Sequence, residues 1–220
     1  MEKIIKPKKY DFSNVIGISE YQLKEHYKLY KGYVNKVNEL LTLSNDSQDF
    51  KNSNPTYSKM RSVKLGESYA LNGVKLHQLY FNNITSTPSA PKGLILKKIV
   101  TDFESLENFI EYFKEVGSSV RGWAILCIDP IDNKLHIYGS DTHDTGAMWL
   151  CYPLLIMDVY EHAYFIDFGT NKKAYMDEFF KNVNWNKVNL RLKKYFNLLQ
   201  NNLFERQQEY LSFSNSFINF

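Results

Sequence analysis

The sequence has little cysteine. Two thiols in 220 residues, Cys127 and Cys151, supply neither a disulfide framework nor a zinc knuckle. Each lies inside an apolar run, so both are expected as buried free thiols, which favours a reducing compartment. Charge of one sign is lacking too. The net charge is +3, and lysines are scattered among carboxylates rather than gathered into an arginine-rich stripe, so the charge pattern does not point to nucleic acid. A small anionic substrate is compatible with it. The opening Met-Glu-Lys-Ile-Ile-Lys-Pro-Lys-Lys lacks the apolar stretch of a secretory signal, and no run approaches the roughly 18 apolar residues of a membrane span. No internal repeat or low-complexity tract is present. These absences predict a cytoplasmic protein with no nucleic-acid or membrane partner.

What the chain does have is apolar and aromatic material: 44% hydrophobic residues, with 16 Tyr and 15 Phe. That is ample for one large domain or two small ones, with a ring-rich core whose phenols need hydrogen-bond partners. Ser19 and Gln22 form a capping-box pattern that starts a helix. Leu23, His26, Tyr27, Tyr30, Tyr33, Val34, Val37, Leu40 and Leu41 follow at helical spacing, and place His26 in an apolar stripe. Gly32 within that helix is expected to mark close approach of another backbone. Residues 44–65 read as an exposed loop. From about 66 to 84, Tyr69, Gly73, Leu76, His77, Tyr80 and Ile84 share one face, so His77 also lies on a buried stripe, and the two helices make an antiparallel hairpin.

Thr85 to Pro91 denies regular hydrogen bonding, and the domain boundary is placed there: 1–87 a helical hairpin, 88–190 an α/β domain, 191–220 an additional helical tail. Leu106, Phe109, Ile110, Phe113 and Val116 predict a helix stopped by Gly117-Ser-Ser. Residues 122–128 and 134–138 predict two antiparallel strands, and Leu154–Met157 a third. Asn171 to Val183, and Val188, Leu192, Tyr195, Phe196, Leu199 and Leu203, predict terminal helices. The fold class is α+β.

The organising stretch is residues 150–167, where an apolar run ends in Asp158, followed by Glu161 and His162. Burying an ionised carboxylate costs several kcal/mol unless a cation or hydrogen bonds compensate it. A metal is the economical partner, and mixed nitrogen and oxygen ligation suits iron, manganese or zinc. Two further ligands are expected elsewhere, and the two histidines on buried helical faces are available.

Residues 10–190 resemble the iron/manganese superoxide dismutases. The resemblance rests on Ser19-Glu20 to His26-Tyr27, Asn72-Gly73 to His77, Gly122-Trp123-Ala124, Asp158-Val-Tyr-Glu-His-Ala-Tyr164 and Asn184-Trp185. It implies His26, His77, Asp158 and His162 as ligands of one iron or manganese per subunit. The metal would lie between an N-terminal hairpin and a C-terminal α/β domain with a three-stranded antiparallel sheet. The implied reaction converts superoxide to oxygen and hydrogen peroxide.

The resemblance further gives Tyr33 and His143 as catalytic residues that organise the proton of a coordinated solvent. His143 stands where the family usually has Gln, with Gly73 at the alternative site for that Gln. Tyr33 follows His26 by seven residues, one fewer than usual, which keeps both on one helix face. Tyr30 falls near the family's gateway histidine, Tyr160 replaces a Trp, and Phe165 replaces an interface Tyr. Glu161 matches a glutamate that reaches across a two-fold interface, which implies a homodimer. The rival readings are a catalytically inert structural relative and a metal-bound redox enzyme with an altered substrate.

Overall fold

The computed structural model describes residues 5–43, 50–146 and 148–199. Helix α1 (Glu20–Leu41) starts at Ser19, whose hydroxyl accepts the Gln22 amide hydrogen. The rest of the expected capping box is different. The Ser19 amide donates to Asp167 at 2.6 Å, while Gln22 donates to the His162 carbonyl at 2.7 Å and accepts from Ile166 N. A long-range carboxylate completes the cap, which frees Gln22 to tie α1 to the segment around residue 162. Leu23, His26, Tyr30, Val34 and Val37 form the buried face, whereas Leu41 is exposed.

Helix α2 (Lys59–Asn83) begins two turns earlier than the sequence predicts, capped by Ser58. Its first turns are polar because no core lies beneath them, so periodicity gave no signal there. Part of the expected loop, residues 44–49, lies outside the described residues. The hairpin is antiparallel: as positions rise along α1, partners fall along α2, with His26 beside Phe81, Tyr30 bonded to Gln78, and Tyr33 against Gly73 and Tyr69. The tight approach is at Gly73, where an added Cβ would meet the Tyr33 ring at 2.9 Å. Gly32, where it was expected, faces open space.

Helix α3 (Leu94–Phe103) was not anticipated; it buries Ile95 and Ile99, and its Ile95 amide donates to Asn189. Helix α4 (Leu106–Ser119) runs through Gly117, which sits where a side chain would collide with Met176. That glycine serves helix crossing rather than helix termination.

Strands β1 (Trp123–Ile128), β2 (Leu135–Ser140) and β3 (Tyr152–Asp158) form an antiparallel sheet of order β2-β1-β3. The central strand is buried nearly throughout, as an apolar run with neighbours on both edges must be. Its register pairs Trp123 with Ser140 on one side and with Asp158 on the other, so the strand end, the start of the β2–β3 connection and the carboxylate meet at one corner.

A 3-10 turn (Glu161–Ala163), α5 (Phe165–Phe168) and α6 (Lys172–Lys181) follow, and Ile84 bridges to Val183. Helix α7 (residues 185–199) runs without interruption past residue 190. Its Arg191 donates to Asn83 and Asn82 side chains and to the Leu154 and Leu79 carbonyls, joining α2, β3 and α7. The predicted continuation of the terminal helix to Leu203 lies outside the described residues. Among the described residues, no helix is long and apolar enough to cross a membrane.

Candidate metal centre

Two helices, one strand end and the 3-10 turn after it deliver four ligand-type atoms to one point. His26 from α1, His77 from α2, Asp158 at the end of β3 and His162 from the 3-10 turn have ligating atoms all within 4.8 Å of one another. The turn after β3 is built by the carboxylate itself: Asp158 Oδ1 accepts the Tyr160 amide hydrogen at 3.0 Å, and the chain folds back until His162 Nε2 lies 3.2 Å from Oδ2. His26 Nε2 is 3.1 Å and His77 Nε2 3.6 Å from that same oxygen. The Asp158 carbonyl accepts from Tyr175 Oη at 2.7 Å, which fixes the strand end.

Protonation follows from the surroundings. His77 Nδ1 donates to the Gly73 carbonyl at 2.6 Å, so Nε2 carries the lone pair, and that buried nitrogen has no hydrogen-bond partner. Burial, and then His26, push the His77 pKa down to about 3; burial also lowers that of His26. Burial acts to raise the Asp158 pKa, but His162 and His26 more than offset it and hold the carboxyl well below the usual range. At His162, burial acts downward and Asp158 prevails, raising its pKa. The centre is a buried anionic oxygen ringed by imidazoles with an unpartnered nitrogen lone pair among them, a donor set that fits a divalent or trivalent cation of mixed nitrogen and oxygen preference.

His143 sits beside the centre, with its ring 5.7 Å from that of His77. Trp123 Nε1 donates to its Nδ1 at 2.9 Å, so Nε2 bears the hydrogen, and that buried group has no partner. The Tyr33 ring lies 4.8 Å from His143 and 5.3 Å from His77. Burial raises the Tyr33 phenol pKa, which keeps it protonated.

Two further rings border the centre, neither given a role by the sequence, although Tyr160 stands where the family has Trp. Tyr69 lies 4.5 Å from His143, one helical turn before Gly73, and Tyr160 stacks on His162 at 5.1 Å. Their helix-face and sequence positions were the only available signals. Tyr30 is not at an entrance. It is fully buried, and its hydroxyl accepts from Lys8 N and Gln78 Nε2. Cys127 is buried as predicted, whereas Cys151 is only partly so.

A helical hairpin and an antiparallel sheet that converge three imidazoles and one carboxylate define an α+β protein with a candidate metal centre between the two. Residues 91–191 match the model of the iron/manganese superoxide dismutases, C-terminal domain. The chain is 37% identical over 185 residues to the superoxide dismutase [Fe] of Aquifex pyrophilus, covering 82% of this chain and 87% of that protein. It is 33% identical over 176 residues to the superoxide dismutase [Mn] of Haloarcula marismortui, covering 78% and 83% respectively. The chain belongs to the iron/manganese superoxide dismutase family.

Proposed function

We propose that this protein disproportionates superoxide, with one iron or manganese per subunit held by His26, His77, Asp158 and His162. The observation that carries the reading is the convergence of three imidazoles on Asp158 Oδ2, with His77 Nε2 buried and unpartnered. When bound, the metal supplies one-electron exchange, so that one superoxide leaves as oxygen and a second, with two protons, as hydrogen peroxide. Asp158 supplies the compensating negative charge. Neutral His26 and His77 leave a net positive centre that favours a small anion.

The protons are the work of the outer residues. His143 presents a single N–H from Nε2 because Trp123 occupies Nδ1, and Tyr33 holds a second protonated group next to it. An imidazole in this place donates one hydrogen bond and is itself titratable, unlike an amide. Iron and manganese accept the same ligands, and such outer hydrogen bonds tune which one is active.

A homodimer follows from the same reading. Glu161 is exposed beside His162, and Phe165 and Ile166 expose apolar surface next to it. A two-fold contact would cover those side chains and bring each Glu161 to the other subunit's His162. The domain limits 1–87 and 88–190 and a cytoplasmic location belong to this proposal as well, whereas the start of the expected 191–220 tail is the second half of α7, packed on α2 and β3 through Arg191.

The test is elemental analysis of fresh protein, with superoxide consumption measured after separate loading with iron and manganese. Stoichiometric metal with activity in at least one form is expected. Metal without activity in either form would favour an altered redox substrate, and neither metal nor activity a structural relative.

A further inference from the structure

Cys127 lies near the end of β1, and Cys151 just before β3. Pairing of the two strands slips by one residue between Leu126 and Cys127, so Cys127 stands opposite Pro153 instead of Leu154. The slip carries Cys127 toward the residues that precede β3. The two sulfurs lie 3.3 Å apart. Both line a cavity of about 530 Å³, together with Ile125, Tyr138, His143 and Arg191. Cys151 itself is partly exposed, and the residues before it, Leu150 and Trp149, are at the surface, Trp149 being 95% exposed.

We propose that Cys127 and Cys151 are a peroxide-oxidisable dithiol, with Cys151 as the attacking sulfur and Cys127 as the resolving one. A disulfide needs the sulfurs about 2.0 Å apart, a closure of roughly 1.3 Å from their present contact. Cys127 is the buried thiol and Cys151 the partly exposed one, and their mutual contact raises the Cys127 pKa and lowers that of Cys151, which favours Cys151 as the thiolate. The Cys151 thiolate attacks one oxygen of hydrogen peroxide; an S–O bond forms, the O–O bond breaks, and the departing hydroxide takes a proton to become water. The Cys127 sulfur then displaces the hydroxyl of the Cys151 sulfenic acid, so that an S–S bond forms and a second water leaves with the thiol proton. Two thiols lose two electrons, and one peroxide becomes two waters.

The site rests on the superoxide reading only for a nearby source of peroxide, so the test adds peroxide directly. The full chain, metal-loaded and metal-free, is treated with hydrogen peroxide, alkylated and digested, and the peptides are weighed. A linked Cys127–Cys151 peptide pair is expected, lighter by two hydrogens, closed to alkylation and reopened by dithiothreitol. Cys127→Ser is expected to stop at a Cys151 sulfenic acid captured by dimedone, and Cys151→Ser to leave Cys127 alkylatable at the same dose. Thiols that stay alkylatable in the untouched chain, Cys151 passing to sulfinic acid with no linked peptide, or Cys127 oxidising as fast without Cys151, would each overturn the proposal, whatever the dismutase activity.

Discussion

Trp123 donates its indole N–H to Nδ1 of His143 at 2.9 Å, and that single bond sets which imidazole nitrogen faces the centre as a donor. An indole nitrogen can only donate, so the acceptor must be the unprotonated nitrogen. Trp123→Phe keeps an aromatic ring but removes the N–H that imposes the constraint. Metal content is expected to stay while turnover falls about tenfold, in the range for loss of an outer-shell partner. Nitrogen chemical shifts of His143 should change from one tautomer to a mixture; an unaltered tautomer would show that something else orients the ring.

His143→Ala and Asp158→Ala should separate the outer group from the charge at the centre. The first is expected to bind metal and lose about 10- to 100-fold in turnover. The second removes the anion on which all three imidazoles converge and is expected to purify without metal. Full activity in both would remove the assignment.

Gly73→Ala tests the tight helix approach. The new methyl carbon would lie 2.9 Å from the Tyr33 ring, closer than contact permits, and the ring must move. Because Tyr33 also packs on His143, the expected outcome is lower turnover with metal retained, and a helical signal unchanged by circular dichroism.

Acid should destabilise the metal-free fold. An unfolded histidine titrates near 6.5 and folded His77 near 3, so between these values the unfolded chain binds more protons and stability falls as the pH drops. The slope from this residue alone is up to about 1.4 kcal/mol per pH unit. Asp158 adds a loss below its ordinary 3.8, because its folded pKa is lower still. His162 acts in the other direction: its raised pKa gives stability that is full below 6.5 and disappears as the pH rises through its folded value. Urea midpoints of chelated protein should therefore drop steadily from pH 6.5 toward 4, and a flat profile would mean the histidines are not buried neutral.

Arg191→Met should show that α7 belongs to the folded core. The substitution strands the buried acceptors of Asn83 and Leu154 and loses the weaker bonds to Leu79 and exposed Asn82, and unmet buried acceptors cost about 1–3 kcal/mol each. A loss of at least about 3 kcal/mol by denaturant titration is expected, against less than about 0.5 kcal/mol for a surface change such as Lys194→Met.

Local pattern made much of the site legible. His26 and His77 stand on apolar stripes that only a helix would gather, and Asp158 ends an apolar strand where a lone carboxylate needs compensation. Position on a face is a local property, fixed by the helical or strand period. The polar opening of α2 carries no periodic signal because it covers no core. Helix α3 escaped because it is short and buries only Ile95 and Ile99.

Local pattern therefore dictates which residues turn inward: the two helical stripes, the buried central strand, and four ligand-type side chains among them. Which of those residues meet was decided by tertiary structure. Gly73 rather than Gly32 takes the close contact because the antiparallel hairpin sets Tyr33 against it. Asp167 rather than Gln22 completes the cap of α1 because the 3-10 turn brings the distant segment there. The strand slip at Cys127 brings two thiols into contact. Each of these depends on register between elements far apart in the chain, which no local periodicity encodes.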